Sequence, residues 1–416
     1  MVAGGLVCEP MRNPLVSIVT PSYNQGRFIR ATIESVLGQD YPNLEYIVMD
    51  GGSGDETRAV VKDYASRLTF VSEKDCGQSH AINKGFRAAR GSILFWLNSD
   101  DVILPGAVRS AVDEFARNPA AGAVYGEGYL MDIDGAVTSR FTATEPFNLW
   151  KLVYLSDYIL QQTLYVRREV LDDIGDLDET LRFTMDWDLL IRIGLRYPLS
   201  YIRRPMGCLR EYPEAKSFSG GRRRIREMRK MLQRHTGMRV PPAIVTYGLN
   251  TYQQIWCAEI GRVAGSRLKP LAGVLQSLVR FCAGLVIDST HYYSQGLYSD
   301  GWAAPIMRLM LPPGSGPLVI EGHVPAESSW LRGQALRIVV NGQALESRHP
   351  GAGDFCLKFD LPAGLQDQLL RINVNASRWI LPRTLGIGGD FRRLAFQFKS
   401  IRNHPPVQHR FPPEPL

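Results

Sequence analysis

Short apolar runs alternate with helix-compatible segments through the first 130 or so residues, and no other feature of this chain constrains its fold as strongly. Continuously apolar strands separated by helices are typical of a parallel sheet whose two faces are both covered. The pattern therefore predicts an α/β fold. The predicted strands are residues 15–20, 44–50, 68–73 and 92–97, and the predicted helices between them are residues 26–37, 55–64 and 78–89.

The pattern changes after about residue 301, where apolar residues alternate with polar or small ones, as in Leu336, Ile338 and Val340. A period of two, broken by Gly- and Pro-rich turns, indicates an antiparallel β-sandwich. A chain of 416 residues has room for two or three domains. We expect an N-terminal extension (1–14), an α/β domain (15–240), a helical linker (241–300), a β-sandwich domain (301–402) and a Pro-rich tail (403–416).

A structural or assembly role, including homo-oligomerisation, is the first hypothesis for the β-sandwich domain. Glycan binding is the second, because Trp302, Trp330 and Trp379 could stack on sugar rings. Core or interface packing is nevertheless the commoner use of tryptophan.

Polar residues follow three of the four predicted N-terminal strands, at residues 20–24, 50–55 and 98–101. Ligands of open parallel sheets bind beyond the carboxyl ends of the strands. Asp55 is most simply a turn or N-cap residue, whereas we expect Asp50 to hold the base or ribose of a nucleotide. Neither a P-loop nor a Rossmann glycine motif occurs in the sequence, so those nucleotide sites are excluded.

Two carboxylates, Asp100 and Asp101, follow an apolar run directly. Like charges so close to a core repel unless a cation offsets them, and hard oxygen ligands suit Mg²⁺ or Mn²⁺. The alternative is a helix N-cap, which would need only one aspartate. Asp186 and Asp188 begin a later predicted helix (185–195), where carboxylates are favoured in any case. Residues two apart on a helix point in different directions, so only one of them, Asp186, is interpreted as a general base.

Taken together, these segments resemble the family 2 glycosyltransferases, which are inverting enzymes of the GT-A fold. The resemblance covers about residues 15–235 and depends on the order and spacing of several short motifs. These are VSIVTPSYNQ (16–25), TIESVLGQ (32–39), DGGSGD (50–55), GQSHAINKGF (77–86), NSD (98–100) and MD (185–186).

The chain departs from the family pattern at three places. Asn98 replaces the first aspartate of the metal-binding D-x-D motif, which predicts weaker metal affinity rather than none. Met185 replaces the glutamate of the late E-D motif but leaves the base itself. Many relatives have a histidine where this chain has Tyr212, so a third protein ligand to the metal is not expected there.

The resemblance implies a single displacement in which a sugar moves from a nucleoside diphosphate to a hydroxyl of a glycan or lipid-linked acceptor, in surface polysaccharide assembly. Asp186 would be the base, and Asp100 and Asp101 would hold Mn²⁺ or Mg²⁺. Gln162, Trp187 and Asp188 would lie on the acceptor side. The residues expected at the nucleotide sugar are Thr20, Pro21, Tyr23, Asp50, Gly77, Asn83, Lys84, Asn98, Ser99 and Lys216.

A non-catalytic alternative is a degenerate transferase that only holds a sugar or glycan. Asn98 in place of aspartate favours this alternative, whereas the intact Asp100 and Asp186 oppose it.

The formal net charge of +7 comes from one stretch, residues 203–239, which holds twelve Lys and Arg against three Glu. Interleaved aromatic residues and nucleic-acid-binding motifs are missing from it, so nucleic acid is excluded as a partner. An ordinary solvated helix face is one interpretation. The other is peripheral contact with anionic lipid, together with the apolar residues 271–285.

The apolar run 271–285 is too short and interrupted to cross a membrane, and the start of the sequence lacks a signal-peptide pattern. Six widely spaced cysteines predict a reduced, cytoplasmic protein, at most peripheral at the inner face of the membrane.

Overall fold

The computed structural model describes residues 13–212, 214–216, 220–263, 273–283, 286, 296, 302–311, 313–314, 316–362, 364–365, 368–382 and 393–403. The described residues fall into two compact units. Unit 1 contains those of 1–147 and 157–227, and unit 2 contains those of 148–156 and 228–403. Most of the predicted N-terminal extension and most of the Pro-rich tail lie outside the described residues.

Unit 1 is built on a mixed sheet of nine described strands in the order β3-β2-β1-β4-β8-β6-β9-β5, with β7 paired to β6. Strands β1 to β4 are mutually parallel, and β8 runs antiparallel between β4 and β6. The strands are β1 Val16–Ser22, β2 Leu44–Asp50, β3 Thr69–Ser72, β4 Ile93–Trp96, β5 Val102–Ile103, β6 Ala123–Met131, β7 Val137–Arg140, β8 Tyr165–Arg167 and β9 Leu199–Arg210.

Helices cover the sheet because each presents an apolar face to it. In α1, residues Phe28, Ile29, Ile33 and Val36 are buried at helical spacing. In α3, a Cβ at Gly85 would lie 2.3 Å from a methyl of Val19, so only glycine lets this helix approach β1 so closely. The helices of unit 1 are α1 Gly26–Leu37, α2 Thr57–Lys62, α3 Gln78–Ala88, α4 Ala107–Arg117, α6 Arg168–Ile174 and α7 Met185–Gly194; α5 Leu149–Tyr154 lies in unit 2.

Unit 2 contains a β-sandwich whose two sheets share one apolar core. One sheet has the order β10-β17-β12-β15 and the other β11-β16-β13-β14. Every neighbouring pair is antiparallel. The strands are β10 Trp302–Ala303, β11 Ile306–Leu311, β12 Leu318–Val324, β13 Leu336–Val340, β14 Gln343–Ala344, β15 Gly353–Phe359, β16 Leu370–Ala376 and β17 Phe396–Arg402.

Among the described residues, three helical segments lie between β9 and the sandwich in the chain. They are α8 Gly221–Thr236, which runs from unit 1 into unit 2, α9 Pro242–Val263, and residues 273–283. The amide of Gln276 donates to the carbonyl of Cys257 at 3.0 Å and so joins the last two. The apolar face predicted for 271–285 is exposed in its described part, with Leu278 at 56% and Phe281 at 64%. Within the described residues, the structure has no helix long and apolar enough to cross a membrane.

The predicted fold class, an α/β domain followed by an all-β domain, is confirmed. The predicted strand 44–50 and helix 26–37 coincide with β2 and α1. Strands β10, β11 and β12 were not predicted. In β12 the first three residues, Leu318–Ile320, are all apolar and buried, so the sequence shows no alternation at the start of this strand.

Candidate functional site

The carboxyl ends of β1, β2 and β4 meet at one edge of the sheet of unit 1. Ser22 at the end of β1 pairs with Asp50 at the end of β2, and Val19 pairs with Trp96 at the end of β4. Parallel pairing therefore gathers the three polar segments that follow these strands, as the sequence predicts.

The first two segments hold each other in place through hydrogen bonds. The Asp50 carboxylate is buried and accepts from the N–H of Ser53 at 3.1 Å and from the hydroxyl of Ser72. Asn24, with a φ of 52°, accepts from the N–H of Gly54 at 2.9 Å. Tyr23 remains 62% exposed beside them. Asp50 thus shapes the loop, and Tyr23 offers an open ring at its rim.

Asp55 confirms the turn interpretation by its contacts. Its carboxylate accepts from the N–H groups of Gly26 at 2.8 Å and Thr57 at 3.0 Å, which lie at the starts of α1 and α2. Burial alone would raise the pKa of Asp55, but the hydrogen bonds from Thr57 and Gly26 outweigh it and lower that pKa.

Asn98 lies in a chain of side-chain amides at the end of β4. Its Oδ1 accepts from Gln78 at 2.7 Å, and its Nδ2 donates to Asp101 at 3.1 Å and Gln161 at 3.3 Å. An aspartate could accept the first of these bonds but could not donate the other two. The two donated hydrogen bonds therefore explain why position 98 holds asparagine rather than aspartate.

Asp101 is almost fully buried and its two oxygens are already engaged. Oδ1 accepts from the N–H of Arg210 at 2.9 Å, and Oδ2 accepts from Gln162 at 2.6 Å as well as from Asn98. Burial, and after it the charge of Asp100, raises the pKa of Asp101 to about 8. Gln162, expected at the acceptor, instead binds this carboxylate.

The Asp100 carboxylate accepts fewer hydrogen bonds than the Asp101 carboxylate. Its Oδ2 accepts from the hydroxyl of Tyr212 at 2.7 Å, and its carbonyl accepts from Arg210 Nε at 2.7 Å. Burial, followed by the charge of Asp100, raises the pKa of the Tyr212 hydroxyl, so that it stays a proton donor. Among the described residues, no three His, Cys, Asp or Glu side chains form a metal-binding group.

The other half of the site lies at the start of α7. The Asp186 carboxylate accepts from the N–H of Trp187 at 2.9 Å. Burial raises the pKa of Asp186, an effect that Lys216 and Arg224 partly offset. Burial and the neighbouring charge of Asp186 raise the pKa of Asp157 in turn. A buried carboxyl with a raised pKa suits a general base.

Lys216 joins the two halves of the site. Its Nζ donates to Gln78 Oε1 at 2.5 Å, and Gln78 in turn donates to Asn98. Burial lowers the pKa of Lys216 to about 8, although the charge of Asp186 raises it. Asp186, Lys216 and the loop at Asn98 therefore border one region of unit 1.

Residues 17–158 match the model of Glycosyl transferase family 2. The chain contains a family 2 glycosyltransferase domain. It is 30% identical over 188 residues to an uncharacterized glycosyltransferase of Rickettsia bellii (strain RML369-C), covering 43% of this chain and 27% of that protein. It is 29% identical over 196 residues to the chondroitin synthase of Escherichia coli, covering 46% and 28%.

Among solved structures, a mannosyltransferase from Pyrobaculum calidifontis in complex with GDP-Man and Mn²⁺ aligns with a TM-score of 0.45 and 17% identity, over 69% of this chain and 88% of that one. The chain spans 27–58% of the length of the first curated relatives it matches. The predicted resemblance to family 2 and the predicted GT-A fold are confirmed.

Several residues expected at the substrate also have partners within the glycosyltransferase domain. Asn83 is buried and donates to the carbonyl of Leu177 at 3.0 Å. Lys84 pairs with Glu73, and Asp188 pairs with Arg192 at 2.8 Å. The remaining expected residues lie as follows: Thr20 bonds the Tyr46 hydroxyl, Pro21 is in β1, Gly77 precedes α3 with a φ of 124°, Ser99 is buried, and Trp187 is 2% exposed in the core.

The domain also uses residues that the sequence reasoning missed. Glu227 accepts from the backbone N–H groups of Arg182, Phe183 and Thr184, at 2.6 to 3.0 Å, and so holds the loop that leads into α7. Gln78, Gln161 and Asp157 were missed as well. Polar residues with partners dozens of positions away leave no local pattern, although the glutamate within a basic run was a visible signal.

Replacing Glu227 with alanine should loosen the loop that positions Asp186. Three N–H groups lose a charged acceptor, and the two that are half-buried, on Phe183 and Thr184, should each cost about 1–3 kcal/mol. We expect amide hydrogen exchange at residues 182–184 to become at least about tenfold faster by mass spectrometry. Glu214→Ala, at an exposed carboxylate, is the matched control. Unchanged exchange in Glu227→Ala would show that the loop is held by other contacts.

Proposed function

We propose that this chain is an inverting glycosyltransferase that moves a sugar from a nucleoside diphosphate to a hydroxyl of a glycan or lipid-linked acceptor. The observation that carries the proposal is Asp186, a half-buried carboxylate with a raised pKa beside Lys216, inside a family 2 domain. The likeness to a chondroitin synthase supports polysaccharide assembly as the setting.

The nucleoside would lie at the edge formed by β1 and β2. The exposed ring of Tyr23 offers a stacking surface, and the loop ordered by Asp50 offers hydrogen-bonding groups. Lys216 would contact the diphosphate, because a half-buried ammonium gains from an anion that replaces lost solvation. Its lowered pKa reflects burial, which removes the solvation of the ammonium.

Asp186 would take the proton of the acceptor hydroxyl as that oxygen attacks the anomeric carbon. A base is most effective when its pKa lies near the working pH, and burial moves the pKa of Asp186 in that direction. Direct attack by the acceptor on one face while the diphosphate leaves from the other gives inversion.

The donor set fits a divalent cation bound together with substrate. Asp100 supplies a hard carboxylate at the edge of the sheet, where Tyr212 donates to only one of its oxygens. Mg²⁺ and Mn²⁺ are commonly held by one or two carboxylates plus the phosphates of the substrate. Asp101 has both oxygens engaged, so we assign Asp100 alone as the ligand. A bound cation would neutralise charge on the departing diphosphate.

Replacing Asp186 with asparagine should abolish transfer without weakening donor binding. A general base contributes about 10²–10⁴-fold to a rate, so release of nucleoside diphosphate should fall by about that factor. The assay is turnover of a panel of nucleotide sugars with Mn²⁺, with donor affinity measured separately by calorimetry. Asp172→Asn, on the exposed side of α6, is the control. Turnover at the wild-type rate in Asp186→Asn would exclude this residue as the base.

The same assay decides between catalysis and the non-catalytic alternative. A chain that binds donors but turns over none of them would be a degenerate transferase. Asn98, which favoured that alternative, has an independent role as a donor to Asp101.

Asn98→Asp should make the fold depend on a cation. It replaces two donated hydrogen bonds with a carboxylate about 3 Å from Asp101, at a cost of roughly 1–3 kcal/mol. A cation that binds only the folded state restores stability by mass action. We therefore expect a lower Tm without metal and a larger rise with Mn²⁺ than in wild type. Asn43→Asp, at the surface, is the control. An equal response to Mn²⁺ in both proteins would contradict the assignment of this edge as the metal site.

Unit 2 supports the proposal of peripheral contact with an anionic membrane. The side chains of Val274, Leu278 and Phe281 are exposed along one side of helix 273–283. Exposed cations, Arg229 and Lys230 on α8, belong to the same unit. Apolar side chains combined with cations are what an anionic bilayer surface binds.

Phe281→Asp should weaken that contact severalfold. The measurement is co-sedimentation with vesicles containing phosphatidylglycerol at low salt, where binding should also fall as salt rises. Val137→Asp, an equally exposed site in unit 1, is the control and should leave binding unchanged. If wild-type protein stays in the supernatant, the membrane contact is wrong.

A further inference from the structure

Two tryptophans of the sandwich are exposed, whereas tryptophan side chains more often pack in a core or an interface. Trp330 is 65% exposed and Trp379 is 43% exposed, whereas Trp302 packs against the core. Large aromatic surfaces left in water mark binding sites more often than chance placement. Core packing is therefore excluded for these two side chains.

The two tryptophans lie on neighbouring backbone segments of unit 2. Trp330 is in the 3₁₀ turn Ser329–Leu331 just before β13, and Trp379 follows β16. Strands β13 and β16 pair directly. Beyond that pairing, the guanidinium of Arg378 donates to the carbonyl of Arg332 at 2.7 Å. One end of the sandwich thus carries both rings.

Three arginines accompany the rings. The guanidinium of Arg393 lies 4.8 Å from the centre of the Trp379 ring, and Arg332 donates to the carbonyl of Ala326 at 3.0 Å. No ion pair between described residues involves Arg332, Arg378 or Arg393. The hydrogen bonds of Arg332 and Arg378 go to carbonyl groups, so no carboxylate of the described residues is paired with them. We call Trp330, Arg332, Arg378, Trp379 and Arg393 the tryptophan–arginine patch.

The outer face of the sheet β10-β17-β12-β15 shows the opposite arrangement. There, Asp354 contacts both His323 and Lys399, and Glu321 pairs with Arg402 at 2.9 Å. Carboxylates therefore lie beside the cations on that face. Among the described residues, the three arginines of the tryptophan–arginine patch have no such carboxylate beside them, so an anionic ligand would meet no competing acid there.

We propose that the tryptophan–arginine patch binds an anionic glycan. Flat indole rings pack against the C–H faces of sugar rings, while the planar guanidinium fork matches a carboxylate, sulfate or phosphate on the sugar. Arginine beside tryptophan also keeps both planes oriented. This site goes beyond the proposed transfer reaction, because it lies in unit 2 and requires no turnover.

The test is retention in native gels that contain polygalacturonate, with dextran as a neutral glycan and polyuridylate as a polyanion with bases. Wild-type protein should be retarded by polygalacturonate alone at moderate salt. The double variant Trp330→Ala and Trp379→Ala should bind at least about tenfold more weakly. Trp256→Ala, an equally exposed tryptophan of α9, is the matched control and should bind as wild type does.

Each other outcome overturns the proposal. Equal retention by dextran would remove the need for anionic sugar, and stronger retention by polyuridylate would make nucleic acid the ligand. A change of oligomeric state in the double variant, with unchanged retention, would make the tryptophan–arginine patch a subunit interface. Donor turnover is measured in parallel and should be the same in wild type and both variants, so that failure here is distinct from failure of the transferase proposal.

Discussion

One buried carboxylate, Asp101, connects four segments of the glycosyltransferase domain. Its side chain accepts hydrogen bonds from the backbone of Arg210 in β9, from Gln162 in the turn before β8, and from Asn98 after β4. Its carbonyl accepts from Thr32 of α1 at 2.7 Å. A polar group out of contact with water is stable only with such partners, and losing one leaves the others in a low-dielectric interior. The geometry around Asp100 therefore depends on Asp101, since the two residues share one short loop.

The start of α7, on the other side of the site, is likewise held by one carboxylate that accepts several hydrogen bonds. Glu227 collects the N–H groups of the loop before Thr184, just as Asp101 collects donors around the end of β4. Most of the groups that these two carboxylates bind lie far away in the sequence, although Asn98 is close to Asp101. The domain thus uses buried or half-buried acids for shape, whereas Asp100 and Asp186 are the two that we propose for chemistry. Acids of both kinds look alike in the sequence.

The parts of the structure that could be predicted are those with local sequence signals. The strand Leu44–Asp50 and the helix Gly26–Leu37 follow from periodicity and flanking turn residues, which are local signals. The gathering of polar strand ends follows from parallel pairing alone. The roles of Asn83, Lys84 and Asp188 were assigned from motif position and stay predictions. The partners of Asn83 and Lys84 follow from no local pattern, whereas Arg192 lies one helical turn after Asp188. Tyr212 was not expected as a metal ligand, and its hydroxyl donates to the Asp100 carboxylate.

The cations of the basic stretch 203–239 fall into two groups, one that contacts other groups of unit 1 and one that is exposed. Arg210, Lys216 and Arg224 act within unit 1, where they bind a loop or offset buried carboxylates. Arg222, Arg223, Arg226, Arg229, Lys230 and Arg234 are exposed along α8, and Arg203, Arg204 and Arg239 are exposed outside it. A count over the whole stretch hides this division, because the inner cations lie beside Asp100, Asp157 and Asp186 and add little to the outer field. The positive charge at the surface is thus smaller than the sequence suggests, and most of it lies on one helix.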